Sequence, residues 1–353
     1  MSSTGAVDGV GRVVFGVVLF VGVVDMAVGC RVDAVVASGE TRRRQRHPTP
    51  MPEGDTLHRI ARALVVLEGQ VVHAVTLPRR PGRGASLTGA VVDEVAAVGK
   101  NLLITFDTGL VLHTHLMMTG VWHLYAQGER WRKSPEVAVA IVAAGGWVAV
   151  CFGAPVVRLV ERRRIERELI VAGAHTDLLA DDADFDLDEI MRRLRDRNAV
   201  PLGEAVMDQR AVGGIGNVYK SEGLFRRGLD PFAVVGAFSD DEVKDLLLEL
   251  RALMRFNVDR NTKRADGTAA VQHYRYNRVT TVPLKLLQAT GVLPSSMLPT
   301  RTTRTGCERL KGPIAVYGRV REKCFVCGDV VVMQRQGAAR RSTYFCRRCQ
   351  PVR

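Results

Sequence analysis

Four cysteines near one end of the chain constrain its folding more than any other feature. They read Cys324-x2-Cys327-x18-Cys346-x2-Cys349, two close pairs separated by enough chain for one β-hairpin. Two such pairs, each on a tight knuckle, can place four thiolates tetrahedrally around a zinc ion. Gly328, directly after the first pair, suits a knuckle turn. Val330–Met333 and Ser342–Phe345 supply the two hairpin strands, with Gln334 to Arg341 between them as a basic fingertip. Two disulfides would use the same four residues. Four thiolate ligands leave no open coordination position, so a zinc ion there is structural. Cys30, Cys151 and Cys307 have no evident partner.

The fingertip belongs to a basic tail. Residues 301–353 hold thirteen Lys and Arg against three acids, and so carry +10 of the chain's net +13. Such concentration favours a polyanion, most simply nucleic acid, over the alternative of a merely solvated tail. Apolar residues make up 46% of the 353-residue chain, which is globular usage. No run of 18 uninterrupted apolar residues occurs, so a polytopic membrane protein is excluded.

Before the tail, three regions differ in pattern. Residues 1–50 contain a short apolar run, Val13 to Val24, then Cys30 and an Arg42–Arg46 cluster. The run suits a signal segment better than a span; the other reading is an over-extended start, with Met51 as initiator. Asp55–Leu64 reads as a helix. Val91–Val98, Leu102–Phe106, Val111–His115, Val137–Val142 and Trp147–Phe152 read as short strands broken by Gly and Pro, which predicts a sandwich or barrel. Leu187–Arg195 and Asp240–Asn257 read as helices, the second with Ser239 as N-cap. Residues 258–312 lack periodicity and read as a long connection.

Between those helices, Gln209-Arg210-Ala211-Val212-Gly213-Gly214-Ile215-Gly216-Asn217-Val218-Tyr219-Lys220 is a Gly-rich turn entering a helix. Glycines allow close backbone approach, and a helix start offers free N–H groups, so the expectation is a phosphate cradle. Asn217 and Lys220, three apart, share a helix face. No Gly-Lys-Ser/Thr follows, which excludes a P-loop.

Together Met51-Pro52-Glu53-Gly54-Asp55, the Gln209–Lys220 turn and the four-cysteine finger resemble the formamidopyrimidine-DNA glycosylase/endonuclease VIII family. The Met-Pro-Glu-Gly start and Gly120-Val121-Trp122 look closer to the endonuclease VIII branch. The resemblance implies an α+β multidomain protein. An N-terminal β-sandwich with flanking helices would span 52–180 and a helix–two-turn–helix domain 181–282. A linker would follow at 283–313 and a zinc finger at 314–353, with 1–51 absent from the mature protein. It implies base-excision repair: a bifunctional DNA glycosylase/AP lyase removing oxidised bases, pyrimidines by preference. The partner would be damaged double-stranded DNA and the cofactor one structural zinc. The protein would be a cytoplasmic, nucleoid-associated monomer with no membrane attachment.

The resemblance also assigns roles. Pro52 is the nucleophile, Glu53 the acid/base and Lys100 the catalytic hairpin lysine. Met117, Met118 and Thr119 fill the gap left by the extruded base, although methionines in a strand core are the plain alternative. Asn217, Lys220 and Arg341 hold phosphates, and Cys324, Cys327, Cys346 and Cys349 hold the metal. The family's second Glu, three residues after the first, is Thr56 here. Pro52 can act only as a free secondary amine. A chain that keeps residues 1–51 would instead be a DNA-binding relative without catalysis. An exported lipoprotein using Cys30 would meet no chromosome, and a zinc-ribbon transcription or RNA-binding factor would leave Pro52, Glu53 and Lys100 unexplained.

Overall fold

A computed structural model describes residues 52–260 and 314–353. Cys30, Cys307 and the 283–313 linker lie outside them. Eight strands follow the first helix, α1 (Gly54–Leu64). They are β1 (Val72–Thr76), β2 (Val92–Val98), β3 (Asn101–Phe106), β4 (Leu110–His115), β5 (Val121–Ala126), β6 (Ala138–Ala144), β7 (Trp147–Phe152) and β8 (Val156–Glu161). They form two four-stranded antiparallel sheets, ordered β1-β6-β7-β5 and β2-β3-β4-β8. Alternation decides the layering. Leu102 and Ile104 of β3 and Val72 and Val75 of β1 point into one shared core with Trp122 and Val142, so the sheets face each other as the expected sandwich. Three strands escaped the sequence reading, β1, β5 and β8, as did helix α2 (Arg162–Ala172).

The second half is helical: α3 (Leu187–Arg195), α4 (Leu202–Ala205), α5 (Asn217–Arg227) and α6 (Asp240–Arg260). Ser239 caps α6 reciprocally. Its hydroxyl accepts from the Glu242 N–H at 3.2 Å, and the Glu242 carboxylate accepts from the Ser239 N–H at 2.9 Å. Val243, Leu246, Leu250 and Met254 then recur at helical spacing on the buried face. α1 packs on β2 and β3 and also on α6, which joins the sandwich to the helices. No helix among the described residues is long and apolar enough to cross a membrane.

The last two strands, β9 (Val331–Gln336) and β10 (Arg341–Cys346), pair as an antiparallel hairpin. The hairpin is longer than the sequence suggests, so the fingertip shrinks to residues 337–340. Phe225 of α5 packs among Val316, Val331 and Tyr344 of the finger. The polar joint is stronger. The buried Glu222 carboxylate accepts from the N–H groups of Ala315, Val316 and Tyr317 at 2.7, 2.9 and 2.9 Å. Removing this charged acceptor strands three donors, at a cost of about 3 kcal/mol. Glu222→Ala should therefore speed hydrogen exchange at the 315–317 amides about a hundredfold. Unchanged protection there would show that another contact holds the finger.

Candidate active site

Glu53 is the N-cap residue of α1, but its side chain caps a different helix. The carboxylate accepts from the N–H groups of Gly216 (2.8 Å), Val218 (2.8 Å) and Tyr219 (3.3 Å), at the start of α5. This corrects the expectation of a free helix N-terminus cradling phosphate: the protein's own acid occupies it. Glycine at 216 is obligatory for this approach, since a Cβ there would lie 2.4 Å from the Glu53 carboxyl carbon. The Gly54 N–H donates to Gly214 O at 2.8 Å, so the backbone after Glu53 rests on the Gly-rich loop as its side chain does. Pro52, buried, precedes it directly.

Burial pushes the Glu53 carboxyl up to about 7, against the pull of Lys100 and of the Val218 and Tyr219 N–H groups. Lys100 caps the turn between β2 and β3, and its Nζ donates to Ile215 O on the same loop. Its ammonium is pulled down to about 8 by burial, with Glu53 opposing and Arg341 adding. Three residues distant in sequence, Glu53, Lys100 and Arg341, are therefore electrostatic neighbours.

The turn carrying Lys100 is held by residues that sequence reasoning missed. The buried Asp177 carboxylate accepts from the Gly99 N–H at 2.5 Å and the Leu179 N–H at 2.9 Å, and lies 3.2 Å from His58 Nε2 of α1. Burial raises its carboxyl, but His58 and those N–H groups outweigh this and hold it below the usual range. The Asp177 side chain thus clamps α1 to the Lys100 turn, while a backbone bridge between Asp177 and Gly213 ties this segment to the Gly-rich loop. Gln209 pins the loop from within. Its amide donates to Ile215 O at 3.0 Å and its oxygen accepts from the Gly214 N–H at 3.1 Å. Gln209 lay inside the quoted motif, whereas nothing local marks Asp177.

Met117 and Met118 lie in the loop after β4, 48% and 61% exposed. The strand-core alternative is thereby excluded. Met117 takes a left-handed φ of 49°, uncommon for a residue with a Cβ. Its N–H donates to His115 Nδ1 at 3.2 Å, and Thr119 Oγ1 donates to Gly153 O at 2.8 Å. His115, another residue the sequence did not flag, is pulled down by burial and then by Lys100. Accepting at Nδ1, the neutral ring carries its proton on Nε2.

The remaining sequence-predicted residues divide. The Asn217 side-chain oxygen is occluded and has no hydrogen-bond partner among the described residues. Arg341, at the start of β10 opposite Gln336, is exposed, and its side chain has no hydrogen-bond partner among the described residues. Lys220 differs. It is 1% exposed, and its Nζ donates to Ser342 O at 3.1 Å and Thr343 Oγ1 at 2.8 Å.

The four cysteine sulfurs lie within 4.8 Å of one another. Cys324 and Cys349 stand 3.8 Å apart and Cys327 and Cys346 3.4 Å apart, beyond the ~2.05 Å of a disulfide. Four thiols converging at Zn–S reach, with Gly328 at φ 77° in the first knuckle, fit a four-thiolate metal site. The remaining described cysteine, Cys151, is buried in the sandwich core.

Comparison with known proteins agrees with this geometry. The formamidopyrimidine-DNA glycosylase N-terminal domain matches residues 51–166, and the formamidopyrimidine-DNA glycosylase H2TH domain matches 178–267. A probable endonuclease 8 2 of Streptomyces coelicolor is 31% identical over 305 residues, covering 85% of this chain and 94% of that one. A DNA-(apurinic or apyrimidinic site) lyase, Nei2, of Mycolicibacterium smegmatis is 30% identical, covering 85% and 99%. Among solved structures, the MutM (Fpg) protein of Thermus thermophilus superposes with a TM-score of 0.59 at 26% identity, covering 85% of this chain and 98% of that one. The two matched domains, the four-cysteine cluster and these relatives place the chain in the formamidopyrimidine-DNA glycosylase/endonuclease VIII family, on its endonuclease VIII side.

Proposed function

We propose that this chain is a bifunctional DNA glycosylase/AP lyase of base-excision repair, with Pro52 as nucleophile and Glu53 as acid. The observation that carries the reading is the buried Glu53 carboxyl, adjacent in sequence to Pro52 and seated on the N-terminus of α5 beside Lys100. A free prolyl nitrogen attacks C1′ of the damaged nucleotide, and the base leaves with the electron pair of the glycosidic bond. Glu53, protonated in part near neutral pH, gives its proton to the sugar ring oxygen as the ring opens. The carboxylate so formed is received by three N–H groups and the Lys100 ammonium. The resulting iminium ion is an electron sink that acidifies C2′ and permits β- and then δ-elimination.

The lesion must leave the stack to reach this site. The exposed Met117 and Met118, with Thr119, suit a wedge that fills the gap. The Asn217 amide nitrogen and the exposed Arg341 guanidinium, both donors, suit the backbone phosphates of damaged double-stranded DNA. One zinc ion held by Cys324, Cys327, Cys346 and Cys349 would keep the finger rigid. Oxidised pyrimidines are the favoured lesions and a monomer the working unit. The same reading puts the protein in the cytoplasm at the nucleoid.

This chemistry requires that the Pro52 nitrogen not be acylated, because an amide lone pair is delocalised into its carbonyl. Protein beginning at Pro52 should be trapped covalently on an abasic duplex by borohydride, and protein retaining residues 1–51 should bind without trapping. Equal trapping of both would remove Pro52 from the mechanism. The excision rate should rise with pH as the amine deprotonates and fall again as the Glu53 acid form, with its carboxyl near 7, is lost. Glu53→Gln should lower single-turnover excision by about 10²–10⁴-fold and abolish the alkaline fall. An alkaline fall that persists in that variant would assign it to another group. Elemental analysis should find one zinc per chain, and Cys346→Ser should lose it together with tight DNA binding.

A further inference from the structure

We propose that Lys220 is a positioning residue, which aims Arg341 at its phosphate rather than binding phosphate itself. Lys220 lies three residues into α5 and is 1% exposed. Its ammonium can only donate, and it donates to Ser342 O and Thr343 Oγ1. The Thr343 hydroxyl then donates to Gln336 Oε1 at 2.8 Å, and the Gln336 amide to Pro231 O at 2.7 Å. The ammonium thus sets the direction of a buried row of hydrogen bonds running from α5 through both finger strands to the segment after α5.

Ser342 and Thr343 directly follow Arg341 on β10. The row therefore fixes the backbone from which the exposed Arg341 side chain projects. A phosphate could reach the Lys220 ammonium only by displacing β10. Ser221 Oγ adds a bond from the Tyr344 N–H at 3.3 Å, so the clamp on β10 continues along the strand. This inference rests on the reading of the chain as a DNA-binding lyase.

The test is a double-mutant cycle read by salt dependence. Binding of the protein starting at Pro52 to a duplex with a tetrahydrofuran abasic analogue is measured by anisotropy across a salt series. Arg341→Ala should lower the slope of log K against log salt by about 0.9, one phosphate contact. Lys220→Met should lower it similarly, and the double variant no further than Arg341→Ala alone. Thr343→Val keeps the Lys220 charge but breaks the row, and should reduce the slope in the same direction. Lys220→Arg should restore the parent slope in part. A double variant that loses about two contacts would make Lys220 a phosphate ligand and overturn the proposal, as would a parental slope in Thr343→Val. Zinc content monitors the fold; if Lys220→Met releases zinc, the cycle of Thr343→Val with Arg341→Ala decides by the same criterion. A parent that fails to bind the duplex overturns the functional reading, and this inference with it.

Discussion

A single carboxylate on a foreign helix N-terminus organises the molecule. Glu53 is supplied by the start of α1, on the sandwich side, and is received by the first turn of α5, on the helical side. Two opposing effects act on it. Burial disfavours the charge, while the α5 N–H groups and Lys100 favour it, and the balance falls at about 7. A surface glutamate would stay ionised at that pH, and a buried one without donors would stay protonated. Only a group held between the two can release and regain a proton near neutrality. The seat exists because residue 216 lacks a side chain.

The same helix serves the other end of the protein. Lys220, Ser221 and Glu222 follow directly on the residues that hold Glu53, and each bonds to the four-cysteine finger or its approach. Within seven consecutive positions of α5 and its N-cap, six residues thus tie the acid to the strand bearing Arg341 and to the approach to the finger. The cost is a crowd of like charge. Lys100, Lys220 and Arg341 all act on the neighbourhood of one carboxylate, and burial pulls both lysines down to about 8. An excess of cations around one acid is unfavourable in isolation and is relieved by an anion, which is what a phosphodiester backbone supplies.

How legible this was in the sequence depends on how local each signal is. The four cysteines, the Ser239 cap of α6 and strands such as Trp147–Phe152 were readable because period and spacing carry them. β8 was not, because its residues are half-buried throughout and show no alternation. α2 was not, because only Ile165 and Leu169 are buried along a helix opening on three arginines, and the charge run masked the i, i+4 pair. The expectations at Pro52, Glu53, Lys100 and Arg341 came from the resemblance carried by the motifs around them. Asp177 was invisible, since its partners lie 78 and 119 residues away. Lys220 was read as a phosphate contact from the resemblance; only the fold reveals that it is buried and has acceptors on β10.

The placement of Pro52 and Glu53 at a helix start, rather than on a loop, follows from what the chemistry demands. A reacting group displaced by 1 Å loses orders of magnitude in rate, and the first turn and inner face of α1 are buried. Leu57, Ile60 and Leu64 are buried in the sandwich core. Asp55 pairs with Arg59 at 3.0 Å, and Arg59 donates to Thr56 Oγ1 at 3.2 Å, a buried ion pair one turn from Glu53. Beneath it, Asn257 of α6 donates to the Tyr219 hydroxyl at 2.8 Å. Thr56 stands where the family often has a second glutamate. An acid there would face a guanidinium already neutralised by Asp55, and would bury a second charge beside Glu53. Threonine accepts from Arg59 without adding charge, so no further acid joins the Arg59-paired Asp55 in raising the Glu53 carboxyl.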